Sequence, residues 1–197
     1  MTLQPRQDAY PIDALLPDLC ARFQPGRTLL LQAPPGAGKT TRVPLALIGA
    51  LGDQVRRDGR IWMIEPRRLA ARAAAARLAA SLEEPVGQRI GFAVRGEQRR
   101  SARTQVEVVT DGLFLRRLQT DPSLDGVSCV LFDEFHERRR DADLAFALLR
   151  EAAPLLRPDL SLMLMSATLD IADLRSRLPE ATVLTSEGRA HPVDTLH

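Results

Sequence analysis

The chain has 197 residues, enough for one domain with a lead-in segment, and 45% hydrophobic against 26% charged residues is the balance of a chain that buries a full core. That composition excludes a disordered tail, a collagen-like rod and a disulfide-stapled miniprotein. A formal net charge of +2 excludes a globally basic protein, so any nucleic-acid binding has to come from a local patch.

In chain order, residues 12–23 (IDALLPDLCARF) predict a short amphipathic helix interrupted near Pro17. TLLLQ (28–32) ends at a Pro/Gly-rich turn and predicts a buried strand. Residues 40–51 predict a helix, with Pro44 in its first turns where proline is tolerated. A Gly/Asp/Arg loop follows, then IWMI (61–64) as a second buried strand. The Ala-, Arg- and Leu-rich stretch 67–82 predicts a strong helix. VEVV (106–109) predicts a strand, 111–119 a helix, VSCVLF (127–132) a strand and 141–153 a charged helix. LSLMLM (160–165) predicts a strand, 170–177 a helix and ATVLT (181–185) a last short strand. Apolar strands alternating with helices imply an α/β fold, a mostly parallel sheet covered on both faces. Ligands of such sheets bind at the carboxyl ends of strands, so the residues following each strand carry the functional signal.

After the strand 28–32 comes Ala33-Pro34-Pro35-Gly36-Ala37-Gly38-Lys39-Thr40, close to the pattern G-x-x-x-x-G-K-[ST] with Ala33 at the first glycine position. Gly36 and Gly38 let backbone N–H groups converge on an anion, and the following helix adds its positive end. Lys39 is placed to reach β- and γ-phosphates, and Thr40 to offer a hydroxyl to Mg²⁺. Lys39 is also the single lysine among 27 basic residues, a compact ammonium kept in a chain that otherwise uses arginine. After the strand 127–132 comes Asp133-Glu134-Phe135-His136, an acidic pair able to hold a Mg²⁺-bound water through Asp133 and polarise an attacking water through Glu134. Alone the pair also fits a solvated charge cluster. After the strand 160–165 comes Ser166-Ala167-Thr168, which by itself also fits an ordinary helix N-cap.

GAGKT, DEFH and SAT, in that order, resemble motifs I, II and III of superfamily 2 helicases, in particular the DEAH/RHA group. DEFHER (133–138) is similar to its bacterial HrpB-like branch. Residues 65–71 (EPRRLAA) resemble motif Ia, and Val109-Thr110-Asp111-Gly112 motif Ib. Gly91, Phe92 and Arg95 resemble a G-Y-x-x-R segment with Phe for Tyr, and residues 188–193 resemble the connection into a second RecA-like domain. The resemblance runs from about residue 10 to the end of the chain.

The resemblance implies a P-loop, RecA-like domain that uses ATP and Mg²⁺. It implies nucleotide contacts from Gly36, Ala37, Gly38, Lys39, Thr40 and Thr41, and metal contacts from Thr40, Asp133 and Glu134. Catalytic roles fall to Lys39, Asp133, Glu134 and His136, with His136 also coupling the nucleotide to the other domain. Ser166 and Thr168 would link hydrolysis to strand movement. Arg67, Arg68, Arg95, Thr110, Asp111 and Gly112 would face a nucleic-acid backbone, RNA rather than DNA, through salt-sensitive and sequence-independent contacts. Arg77 is a candidate for stacking on the base, and a solvated Ala-rich helix explains it equally well. The implied domains are a lead-in over 1–25, the ATP-binding domain over 26–187, and over 188–197 the start of a linker to a second RecA-like domain. That partner would supply an arginine finger, so the chain alone would turn over slowly. No base-reading segment is visible in residues 1–32, which implies tolerance for different nucleotides. The competing readings are a nucleotide-dependent nucleic-acid clamp without strand separation and a regulatory P-loop ATPase.

Cys20 and Cys129 lie far apart, and with His136, His191 and His197 they show no metal-ligand spacing. Free thiols, no apolar run near the ~18 residues of a membrane span and no signal-peptide pattern at the start predict a cytoplasmic protein without a membrane partner.

Overall fold

The computed structural model describes residues 10–50, 59–168 and 171–186. Residues 1–9, most of the loop after the helix predicted at 40–51, and the 188–193 segment lie outside the described residues. The lead-in is a 3₁₀ turn (Pro11–Ala14) followed by α1 (Leu16–Arg22) rather than one helix. Leu15 is the joint, and Pro17 falls in the first turn of α1, where its missing N–H leaves no helical bond unmade. There follow β1 (Thr28–Gln32), α2 (Lys39–Ala50), β2 (Arg60–Glu65), α3 (Arg68–Ser81), β3 (Ile90–Val94), β4 (Glu97–Arg99) and β5 (Val106–Thr110). After these come α4 (Asp111–Thr120), β6 (Val127–Phe132), a second 3₁₀ turn (Phe135–Glu137), α5 (Arg140–Leu156), β7 (Ser161–Ser166), α6 (Ile171–Arg177) and β8 (Thr182–Thr185).

The strands form one eight-stranded sheet in the order β4-β3-β5-β2-β6-β7-β1-β8. All pairings are parallel except β3 with β4. The β3–β4 hairpin is the element that the alternating pattern does not reveal. β3 is a fully buried apolar run of five, and β4 is a short charged edge, so neither shows period-two alternation. Gly96, at φ +82° in the connecting turn, is the local cue that a chain reversal lies there.

Side chains alternate across the sheet and build two cores. On one face Leu29, Leu31, Met63, Val108, Leu131 and Met163 pack against α1, α2 and α3. On the other, Leu30, Trp62, Ile64, Val130 and Leu164 pack against α4, α5 and α6. The second core contains a ladder of edge-to-face rings: Trp62–Phe114, Phe114–Phe132, Phe132–Phe135 and Phe132–Phe146, with centroids 5.7 to 5.9 Å apart. Beside it Glu107, a fully buried carboxylate on β5, takes guanidinium hydrogen bonds from Arg117 (2.9 Å), Arg100 (3.1 Å) and Arg60 (3.5 Å). Three partners satisfy a charge that would otherwise be prohibitively costly to bury.

The strand order places function. β2, β6, β7 and β1 are consecutive neighbours, so the segments after Glu65, Phe132, Ser166 and Gln32 emerge side by side at one edge of the sheet. β3 and β5 continue the same row beyond β2.

Candidate nucleotide site and nucleic-acid face

The phosphate-loop sequence forms the tight connection its glycines require, with Gly36 at φ +75° and Gly38 at φ +96°, conformations that strain any L side chain. The loop delivers Lys39 as the first residue of α2, where the leading N–H groups have no intrahelical acceptor. Lys39 is buried, and its ammonium donates to the carbonyls of Ala33 (2.6 Å) and Pro34 (3.2 Å). Its neighbour Thr40 donates its hydroxyl to Asp133 Oδ2 at 2.5 Å, 93 residues away in sequence. The other Asp133 oxygen accepts the N–H of Glu134 at 2.9 Å. The two motifs read after β1 and β6 therefore meet at one point.

Glu134 occupies the left-handed region (φ 49°, ψ 38°), and so does Arg138 at the far end of the same 3₁₀ turn. His136 Nδ1 lies 3.4 Å from the Glu134 carboxylate without a hydrogen bond. A cavity of about 200 Å³ is lined by Tyr10, Gly36, Gly38, Lys39, Thr40, Thr41, Arg77 and Glu134. Thr41 lies beside the loop it follows, its hydroxyl 3.4 Å from the Gly38 carbonyl. Ala37 is buried and accepts a hydrogen bond from the N–H of Ile12 at 3.0 Å.

The acids of this site are all displaced upward. Burial raises Asp133, against the pull of the Thr40 hydroxyl. Burial and the charge of Asp133 raise Glu134. Glu65, at the end of β2, is pushed up to about 9 by burial first and then by the charge of Asp133, with which it shares a hydrogen bond. At neutral pH Glu65 therefore holds a proton and donates it toward Asp133. Sequence reading gave Glu65 no role, although a carboxylate at a strand end is the same signal that singles out Asp133.

Buried, crowded carboxylates opposite one ammonium and one hydroxyl suit a divalent cation brought in with a polyphosphate. Among the described residues no three His, Cys, Asp or Glu side chains converge into a self-contained metal cage.

Ser166 and Thr168 are local partners. The Ser166 hydroxyl donates to the Thr168 carbonyl (2.9 Å) and accepts the Thr168 N–H (3.2 Å). The Ser166 carbonyl accepts the N–H of Ala33, tying the end of β7 to the start of the phosphate loop.

The residues read as facing nucleic acid sit at the ends of β2, β3 and β5, next to the nucleotide site but apart from its cavity. Arg67 is exposed and donates to both carboxylate oxygens of Glu137 (3.2 and 3.3 Å), a contact the sequence did not foretell. Arg68 is exposed at the start of α3, and Arg95 is exposed at the β3–β4 turn. Thr110 is buried as the N-cap residue of α4. Asp111 is buried as well, its carboxylate held by Arg139 (2.5 Å) and the Gly112 N–H (2.7 Å), so it braces this turn. Gly112 lies against Asp141, where a Cβ would stand 3.1 Å from the carboxylate. Arg77 is exposed and lines the nucleotide cavity, with no ion-pair partner among the described residues.

Strand, glycine loop with lysine, helix, and an acidic pair on a neighbouring strand define a P-loop nucleotide-binding α/β domain. Comparison with known proteins narrows the class: residues 15–176 match the DEAD/DEAH box helicase family, and the chain belongs to that family. It is 47% identical over 186 residues to the ATP-dependent RNA helicase HrpB of Escherichia coli, covering 94% of this chain and 22% of the relative. It is 37% identical over 160 residues to an ATP-dependent RNA helicase HrpA homolog of Haemophilus influenzae, covering 81% of this chain and 12% of the relative. A crystal structure of the E. coli DExH-box NTPase HrpB superposes with a TM-score of 0.87 at 46% identity, covering 97% of this chain and 23% of that one. The chain thus spans about a fifth or less of the length of these relatives. Among the described residues no helix is long and apolar enough to cross a membrane.

Proposed function

We propose that this chain is the first RecA-like half of an ATP-dependent RNA helicase, binding Mg-ATP in the Lys39–Glu134 cavity and single-stranded RNA along the ends of β2, β3 and β5. The observation that carries the reading is the meeting of Thr40 and Asp133, which unites the phosphate loop with the acidic pair. Lys39 would exchange the Ala33 and Pro34 carbonyls for phosphate oxygens, a move that costs little because both are neutral acceptors at the loop itself. Thr40 and Asp133 would hold Mg²⁺, which when bound neutralises developing phosphate charge. Glu134 would orient the attacking water, with His136 beside its carboxylate. Arg67 and Arg68 follow β2 and Arg95 follows β3, with β5 between them, and they would contact phosphates without reading sequence. Glu137, the partner of Arg67, lies three residues beyond Glu134, so one 3₁₀ turn would join the proposed RNA face to the proposed water-orienting carboxylate. This reading keeps 26–187 as the ATP-binding unit, with 1–25 as a lead-in whose Ile12, Leu19 and Phe23 pack into the same core and 188–197 as the start of a linker.

The lined cavity offers Lys39 and Arg77 as its cations. A second RecA-like domain would add the γ-phosphate arginine that is worth about 10³–10⁵ in rate in NTPases generally. The test is steady-state ATP hydrolysis with and without single-stranded RNA, using Glu134→Gln as the blank, together with Mg-ATP and RNA binding. Binding of both ligands, weakened for RNA by salt, with turnover near the blank, is the expected result. Absence of Mg-ATP binding would overturn the nucleotide reading, and RNA-stimulated turnover at ordinary helicase rates would overturn the half-site.

A further inference from the structure

Arg138, Arg139 and Arg140 follow the turn that carries Glu134, and the three side chains do different things. Arg138 donates to Asp143 (3.2 Å), and Arg140 is 94% exposed beside Asp141 (3.6 Å). Arg139, the N-cap residue of α5, turns the other way. Its Nε donates to Oδ2 of Asp111 (2.5 Å), the first residue of α4 at the end of β5. β2 lies between β5 and β6 in the sheet, so this ion pair reaches from the segment after β6 across to the end of β5. Pro66, Asp111, Glu134 and Arg139 line one narrow crevice, which places the guanidinium where the ends of these three strands converge. Arg67 and Arg68 directly follow Pro66.

A solvent-facing carboxylate at this turn would repel a phosphate backbone. Asp111 does not face solvent: its side chain is 7% exposed, against 43% for Arg139. What the end of β5 presents outward is therefore a guanidinium. The charges nearest it are those of Asp111, Glu137 and Asp141. Glu137 is bonded to Arg67 and Asp141 stands by Arg140, which leaves Asp111 as the hydrogen-bonded partner of Arg139. The Arg139 Nη1 and Nη2 groups make no bond among the described residues. A guanidinium fixed through Nε and open along its Nη edge is preorganised for bidentate contact with a phosphate. We propose that Arg139 is a further phosphate-binding residue of the nucleic-acid face, oriented by Asp111 and meeting the backbone of a single strand between the ends of β2 and β5. The inference rests on the RNA reading above. It gives Asp111 the task of aiming an arginine instead of touching RNA, and the contact, made to phosphate, reads no sequence.

The test is binding of a labelled single-stranded oligouridine across a range of salt, measured below the melting midpoint of each variant. Arg139→Gln should lower the slope of log affinity against log salt by about 0.7, the value of one single-strand phosphate contact, and so weaken binding about fivefold near 0.1 M salt. Arg140→Gln removes the same charge one residue away and should change affinity by less than about twofold. Arg139→Gln leaves Asp111 buried without its cation. The double variant Arg139→Gln/Asp111→Asn removes the pair together, and should show the same loss and the same slope as Arg139→Gln. Asp111→Asn alone keeps the guanidinium and should keep the wild-type slope. A wild-type slope in both Arg139→Gln and the double variant would overturn the proposal, as would equal losses in Arg139→Gln and Arg140→Gln. A loss in Asp111→Asn as large as in Arg139→Gln, with every slope unchanged, would show that the pair only braces the turn and would overturn it too. Wild-type protein that fails to bind the oligouridine would overturn the RNA reading itself, a result separate from failure of the Arg139 contact alone.

Discussion

Replacing Phe135 by alanine tests whether packing holds the hydrolytic turn in place. Phe135 is 6% exposed, and its ring meets Phe132 at 5.9 Å and Phe146 at 5.6 Å, both edge to face. Arg138 lies over the same ring at 5.9 Å. Core Phe→Ala changes cost about 3–5 kcal/mol. Here the ring also borders an open cavity of about 150 Å³, so part of its surface already lacks neighbours and the lower end, about 3 kcal/mol, applies. For a domain of this size each kcal/mol shifts the melting midpoint by about 2–4 °C, giving a fall of about 6–12 °C. The ring also sits between two strained residues. Glu134 and Arg138 flank it at φ +49° and +48°, conformations that cost about 1–3 kcal/mol each and persist only where the surrounding packing enforces them. The assay is thermal melting of Phe135→Ala beside Leu69→Ala, whose side chain is 76% exposed and should matter by less than about 0.5 kcal/mol. Mg-ATP affinity, measured well below the lowered midpoint, should stay within about threefold, because Lys39 and Thr40, proposed to hold the phosphates, lie outside that turn. A midpoint change in Phe135→Ala no larger than in Leu69→Ala would refute the reasoning.

Glu134→Asn should raise stability by about 1 kcal/mol, since asparagine tolerates the left-handed region, while reducing any ATP turnover to background. A lower melting midpoint would contradict the strain argument. Glu107→Ala should cost about 3 kcal/mol, because three guanidiniums lose a fully buried partner, and Glu107→Gln roughly half as much. Equal melting of Glu107→Ala and wild type would show the cluster to be inert. Glu65→Gln should stabilise the protein increasingly as pH rises. The unfolded chain releases the Glu65 proton above its ordinary value near 4.5, whereas the folded chain keeps it up to about 9. Folding thus binds a proton in that window, and wild-type stability falls across it as pH rises. Melting with a chelator present at intervals from pH 5 to 9 measures the difference between the two proteins, and a difference independent of pH would sink the assignment.

Much of the fold was legible because its strands are short apolar runs ended by Gly, Pro or acidic turns, and its helices are long enough to show their period. β1, β6, α3 and α4 fall within a residue of their predicted bounds at each end. The β3–β4 hairpin was illegible because an all-buried strand and a three-residue charged edge carry no alternation. Asp111 shows the limit of motif reading: the resemblance to motif Ib implied that it faces nucleic acid, whereas its carboxylate is buried and held by Arg139, 28 residues on.

The sequence by itself determined the chemistry. A glycine loop bearing the chain's one lysine, and an acidic pair after a buried strand, have few uses other than phosphate and metal, because local backbone geometry and side-chain type suffice to imply them. Only the tertiary structure decided which groups share a site. Thr40 meets Asp133 because β1, β7 and β6 are neighbours in the sheet. Glu65 retains its proton because β2 delivers it beside Asp133 in a buried place. Tyr10 lines the cavity because the lead-in folds back onto the phosphate loop. Such juxtapositions depend on strand order and long-range packing, and no periodicity along the chain encodes them.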